Sequence, residues 1–355
     1  MTIPVLKRLP RRRFLAAGAG ALALTLAPRL GRADEEKKLN VYNWDTYIGQ
    51  TTLDTFTANT GIEVQYDLYA NNEELFGKLK EGNPGYDIIV PSDYMVETMI
   101  KLDMLMPLDK SKLSNIGNID PQFADPPYDP GMAHCVPYMW GTIGIGYRKS
   151  KADKPESWGD ILVSDKYKGR IALLDDQRAV LGVALKYLGY SLNSTNPDEI
   201  AKARDLVIKQ KPNIKAFAPD EGQNMLAAGD ADLVQEWNGD ILQVMAEDDD
   251  LDYVVPKEGG EIFVDNMAIP AGAPHPDNAH AFLNHILDAQ VCKEIVETIN
   301  FATANLAARK LLAPELQSNP AMYPPPEVVA KSEHLRDLGD ATRLYDEAWT
   351  AIKAA

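Results

Sequence analysis

The segment Asp87-Ile88-Ile89-Val90-Pro91 is a short strand with almost no polar position. Such a run suits a parallel sheet covered by helices on both faces. Working back, residues 72–80 carry Leu75, Phe76 and Leu79 at helical spacing. Residues 62–66 read as a strand, 51–59 as a helix and 39–44 as a strand. Working forward, residues 94–102 return as a helix. The order is βαβαβα, and the right-handed crossover rule makes it an open parallel sheet.

An extended stretch follows over 135–148, with Gly141, Gly144 and Gly146. A second α/β set begins after it. Its strands are expected near 170–174, 231–236, 252–255 and 262–269, and its helices near 178–188, 197–209 and 240–246. Helices at 275–287, 290–298 and 341–354 complete the chain. At 355 residues the sequence exceeds what one core usually holds, which is about 250–300 residues, so two lobes are expected.

Composition narrows the function classes. Apolar residues are 45% and charged residues 25%, which is globular. The formal charge is −16, so neither nucleic acid nor an anionic membrane is an expected partner. Residues 1–33 hold seven basic side chains and no acid. Arg11-Arg12-Arg13-Phe14-Leu15 is a twin-arginine pattern, and the apolar run that follows to Ala27 is shorter than the roughly 20 residues a span needs. The segment reads as a twin-arginine export signal, cleaved near Ala33, with no nearby cysteine to carry a lipid. The remainder has 29 basic against 52 acidic side chains, a net of −23, which suits a cationic ligand.

Catalytic and cofactor motifs are missing from the sequence. There is no phosphate loop, no GxGxxG before a helix and no GxSxG elbow. His275, His280 and His285 are five apart, do not share a helical face and read as surface residues. No cofactor and no metal is expected. Cys135 and Cys292 are either bonded or two buried thiols.

Aromatic and acidic residues instead gather at strand ends, where open parallel sheets bind ligands. Trp44-Asp45-Thr46-Tyr47 ends the first strand, and Ser92-Asp93-Tyr94 follows the third. Asp175-Asp176 and Glu236-Trp237-Asn238-Gly239-Asp240 follow strands of the second set, with Asp175 read as a helix cap. Phe263 and Asp265 share one strand face. Aromatic faces with carboxylates are what an alkyl ammonium needs: the rings cover methylenes, and the acids pair the charge.

These residues carry a resemblance. The sequence resembles the bacterial periplasmic spermidine/putrescine-binding proteins, receptors of polyamine ABC importers. The likeness runs from about Leu39 to Ala355 through VYNWDTYIG, GYDIIVPSDYMV, PYMWGTIGIGY, WNGD, PKEGG, FVDNMAIP and ETINFATANLAARKLL. It implies a two-lobed α/β periplasmic-binding-protein fold, each lobe an open, mainly parallel sheet flanked by helices, with a hinge between. Lobe one would be residues 34–141 plus 268–310, and lobe two 142–267 plus 311–355. The glycines near 141–146 and the stretch 265–270 would lie at crossovers, where backbone dihedrals absorb closure.

The resemblance also implies ligand contacts at Trp44, Tyr47, Ser92, Tyr94, Asp176, Trp237, Phe263 and Asp265. Phe301 stands where the family has tyrosine, and Asp45-Thr46 departs from the family by moving the acid one residue. Asp240 matches a carboxylate of putrescine binders. Ala179 and Leu335 replace polar residues that spermidine binders use. The implied function is periplasmic capture of a polyamine, putrescine before spermidine, by a monomer that serves a membrane permease, with no catalysis. A betaine- or choline-type ligand is the alternative, but quaternary amines donate no hydrogen bonds to carboxylates. An exported hydrolase would need a nucleophile–base pair, and a ferric-ion binder a Tyr-Tyr pair that this sequence does not contain.

Overall fold

The computed structural model describes residues 35–355. The expected export signal lies outside the described residues. The strands are β1 (Lys38–Trp44), β2 (Glu63–Tyr69), β3 (Ile88–Ile89), β4 (Cys135–Arg148), β5 (Ile171–Leu174), β6 (Ile214–Ala218), β7 (Leu233–Trp237), β8 (Leu251–Val254) and β9 (Glu261–Ala268), with two-residue strands β10 (Ala302–Thr303) on β4 and β11 (Glu333–His334) on β9. They run side by side in the order β2-β1-β3-β9-β4-β7-β5-β6, with β8 pairing β4 off this path. β6 and the helix after it, Gly222–Ala227, went unread in the sequence. In β6 only Ala218 is fully buried, so the segment carries no continuous apolar run.

The parallel arrangement holds on the two flanks. β1 pairs in parallel with β2 and β3, and β5 with β6 and β7. The centre differs: β9 runs antiparallel to β3 and β4, and β4 antiparallel to β7. The 14-residue β4 joins the flanks by changing partner along its length. Its residues from Cys135 to Thr142 pair with β9, and those from Ile143 to Tyr147 pair with β7.

The apolar core falls into separate clusters. One cluster contains Leu39, Ile88, Met99, Met139, Phe282 and Ile295. A second contains Ile143, Trp158, Ile171, Leu181, Leu233 and Tyr345, and a third, smaller one Leu226, Val234, Ile241 and Tyr253. Burying each such side chain contributes about 1.5–3 kcal/mol, so each cluster has its own driving force. This is the two-lobed α/β architecture. The glycines at the changeover do not adopt left-handed dihedrals. They permit close packing: a Cβ on Gly141 would come within 2.1 Å of Asn238 Oδ1, and one on Gly144 within 2.4 Å of Tyr253.

Two smaller expectations resolve here. Cys135 and Cys292 are free and buried, hydrogen-bonded to Asp129 and Thr303. His280 is not a surface residue. It is 3% exposed, and its Nε2 accepts the Asp109 backbone N–H at 2.9 Å.

Candidate functional site

β1 is buried over its last four residues and delivers Trp44 to its carboxyl end. The indole Nε1 donates to the Val90 carbonyl at 2.8 Å, which fixes the ring beside β3. The chain then turns sharply. Thr46 takes a left-handed φ of 47°, and Asp45 accepts the Thr46 N–H at 2.8 Å, a local bond that favours the turn. The turn brings Tyr47 back inward, held by Asn43 Nδ2 on its carbonyl.

Asp265 lies opposite, on the same face of β9 as Phe263. Tyr47 donates to its Oδ2 at 2.8 Å and Ser92 to its Oδ1 at 2.6 Å. Burial pushes the Asp265 carboxyl up to about 7, although the two hydroxyls pull it partly back. It is an acid with two donors in place and no ion-pair partner among the described residues.

The other side of the site comes from the carboxyl end of β7. Trp237 ends that strand and meets Phe263 edge-on, ring centres 5.2 Å apart. The helix Asn238–Met245 starts at once, with Asp240 in its first turn, where the helix dipole favours an acid. Gly239 is required there: a Cβ would lie 2.2 Å from Phe301. Phe301 in turn packs edge-on against Tyr47 at 4.9 Å. Thr46 Oγ1 donates to Asp240 Oδ1 at 3.4 Å, linking the β1 turn to this helix.

Trp44, Asp45, Tyr47, Ser92, Trp237, Asp240, Phe263, Asp265 and Phe301 therefore line one cavity. Three of the expected residues are not among its walls. Thr46 acts through its bond to Asp240. Tyr94 is covered by the Arg178 guanidinium, 5.4 Å from the ring centre, and its hydroxyl donates to Glu73. Asp176 caps the helix Gln177–Tyr187, accepting the Arg178 and Ala179 N–H groups at 2.8 and 2.9 Å. This corrects the capping role expected of Asp175, which pairs instead with Lys353 at 2.8 Å.

A tenth wall residue, Asp220, was missed. It follows β6, so the rule that ligands gather at strand ends would have found it had that strand been read. Burial, then Asp45 and Glu221, push its carboxyl up to about 7. Burial, then Asp220, hold Asp240 well above the usual carboxylate range. Among the described residues, none of Asp45, Asp220, Glu236, Asp240 and Asp265 forms an ion pair. The arrangement is an aromatic slot with a lone acid at one side and several at the other. Chemically it can desolvate a methylene chain and neutralise positive charge.

Comparison with known proteins gives this geometry a context. A family model described as bacterial extracellular solute-binding protein matches residues 51–324. The chain belongs to that family. It is 40% identical over 346 residues to a spermidine/putrescine-binding periplasmic protein of Salmonella typhimurium, covering 97% of this chain and 98% of that one. It is 36% identical to a putrescine-binding periplasmic protein of Escherichia coli, covering 95% and 96%. A solved spermidine/putrescine ABC transporter substrate-binding protein from Streptococcus pneumoniae superposes with a TM-score of 0.75 at 37% identity, over 90% and 99% of the two chains. This solute-binding protein is thus exported and is not an enzyme.

Proposed function

We propose that this solute-binding protein captures a short diamine between its lobes and delivers it to an ABC importer. The observation that carries the reading is the cavity itself. Asp265 stands at one side with Tyr47 and Ser92, and Asp45, Asp220 and Asp240 at the other, with aromatic walls between. An ammonium against a desolvated ring gains about 0.5–2 kcal/mol, and a carboxylate pairs its charge. Polyamine binding by the Salmonella and Escherichia coli relatives supports the class of ligand, and the Asp240 carboxylate favours putrescine over spermidine. Hydrogen-bond acceptors at both sides favour primary amines over betaine- or choline-type cations.

In this reading the lobes are 34–141 plus 268–310 and 142–267 plus 311–355. The partner change within β4 supports a crossover near residue 142. The protein acts as a periplasmic monomer whose twin-arginine signal is removed near Ala33, and a membrane permease receives the closed form. The test is a thermal-shift panel of putrescine, cadaverine, spermidine, spermine, betaine and choline. The largest stabilisation is expected from putrescine. A shift with betaine or choline alone would replace the reading.

A further inference from the structure

The acid-rich side of the cavity gathers more carboxyl groups than one ammonium can pair. Asp220, Glu236 and Asp240 each offer a carboxylate oxygen, and these oxygens lie within 4.8 Å of one another. Glu236, the residue before Trp237 in β7, has no solvent exposure. Its Oε1 accepts the Trp237 backbone N–H at 3.1 Å, and its Oε2, which lies against the Gly222 backbone, makes no well-aligned hydrogen bond among the described residues. A buried carboxylate oxygen with no well-aligned partner, among two further acids, is costly unless a cation or a proton neutralises it.

A ligand ammonium does not meet that need. Glu236 is not among the walls of the cavity, so an amine lying in the slot reaches Asp220 and Asp240 but not Glu236. An ion seated between the three carboxylates touches all of them. Calcium–oxygen bonds of about 2.3–2.6 Å place two ligand oxygens up to about 5 Å apart, which matches the cluster. The donors are all oxygen, with neither His nor Cys, which selects hard cations over zinc or copper. Thr46 and Gln243 hold Asp240 Oδ1 at 3.4 and 3.3 Å and steady that ligand.

We propose that Asp220, Glu236 and Asp240 form a binding site for a hard divalent cation of the calcium class. Because Asp240 also faces the slot, the cation and the ligand amine compete for it. The site itself stands whether or not the ligand is a diamine; the competition rests on the diamine reading.

The test uses the full mature protein, stripped with chelator and dialysed, and titrated calorimetrically with calcium chloride. Sodium chloride of matched ionic strength serves as the control. One saturable calcium site per chain is expected, weakened at least about tenfold in Asp220→Asn and in Glu236→Gln. Putrescine titrated into the same preparation should bind more weakly with calcium present in the wild type, but not in Asp220→Asn. Should Glu236→Gln fail to fold, Asp220→Asn, at a partly exposed position, decides alone. No saturable calcium binding above the salt control overturns the proposal, and so does unchanged binding in Asp220→Asn. Calcium binding with no putrescine binding would instead remove the diamine reading and leave this site standing.

Discussion

Tyr47 and Asp265 lie 218 residues apart in sequence, yet the tyrosine hydroxyl donates to the Asp265 carboxylate at 2.8 Å. The bond joins the turn after the first strand to the long central strand β9. It also orients the lone acid on its side of the slot, with Ser92 holding the second oxygen at 2.6 Å.

That geometry sets the first prediction. An arriving ammonium would find an acid already desolvated and aligned. Removing one partner of a desolvated charge pair costs roughly 2–5 kcal/mol. Asp265→Ala should weaken putrescine binding by at least about tenfold, read by titration calorimetry. Wild-type affinity in the variant would take Asp265 out of the site.

The second prediction concerns pH. Burial pushes the Asp265 carboxyl from its ordinary value near 3.8 up to about 7. Between those values the folded protein holds a proton that the unfolded chain has lost. The contribution of this carboxyl to ligand-free stability is therefore full below about pH 4 and is lost as pH rises through about 7. A bound ammonium needs the ionised form, so binding runs the other way. Putrescine affinity should rise with pH between about 6 and 8, and binding at pH 6 should release protons. Calorimetry at that pH in two buffers of different ionisation heat measures the release. An affinity flat across that range would contradict it.

How far the sequence predicted this site depended on the kind of signal. β1 and β9 both read as strands, so Trp44 and Tyr47 at the end of β1, and Phe263 and Asp265 on one face of β9, could be placed at once. Phe301 came only through a likeness of motif; its role depends on Gly239 leaving room for its ring, which is a tertiary fact. Asp220 was lost because β6 is mostly half-exposed and breaks the apolar pattern. Tyr94 and Asp176 sit at strand ends as expected, but sequence does not say what covers a side chain. Arg178 lies over Tyr94, and two backbone amides claim Asp176. The antiparallel pairing of β4 with both β7 and β9 was equally invisible, since a strand's apolar pattern does not encode the direction of its neighbours.

Closure of the lobes is the third prediction. With the proposed boundaries, Thr46–Asp240, Lys101–Asp337 and Arg178–Tyr94 all cross from one lobe to the other. Arg178 also stacks on Tyr345 at 5.0 Å, so its guanidinium lies against one ring from each lobe. Such contacts favour the closed state, and a ligand touching both lobes adds to them. Small-angle scattering should give a smaller radius of gyration with saturating putrescine. Arg178→Ala should lower putrescine affinity severalfold without altering a cavity wall, because about 0.5–2 kcal/mol of cation–π attraction is lost from the closed form. An unchanged scattering profile on ligand addition would rule the closure out.

Ligand length is the last prediction. One amine would meet Asp265 among Tyr47, Ser92 and Phe263, and the other would meet Asp240, Asp220 or Asp45 beside Trp237. A longer ligand needs a third set of acceptors. The sites that could provide one are already engaged: Tyr94 with Arg178 and Glu73, and Asp176 with the helix it caps. Ala179 and Leu335, 2% and 4% exposed, offer no polar group. Extra methylenes gain about 0.8 kcal/mol each on burial, which does not offset an ammonium taken from water and left unpaired. Putrescine should therefore bind more tightly than spermidine, and spermine should bind weakly. Asp240→Ala should weaken putrescine binding, because the second amine keeps only Asp45 and Asp220 as acids on that side. Competition calorimetry decides the order. If spermidine proves tighter than putrescine by about tenfold or more in the unmutated protein, the assignment of the second amine to this acid-rich side is wrong.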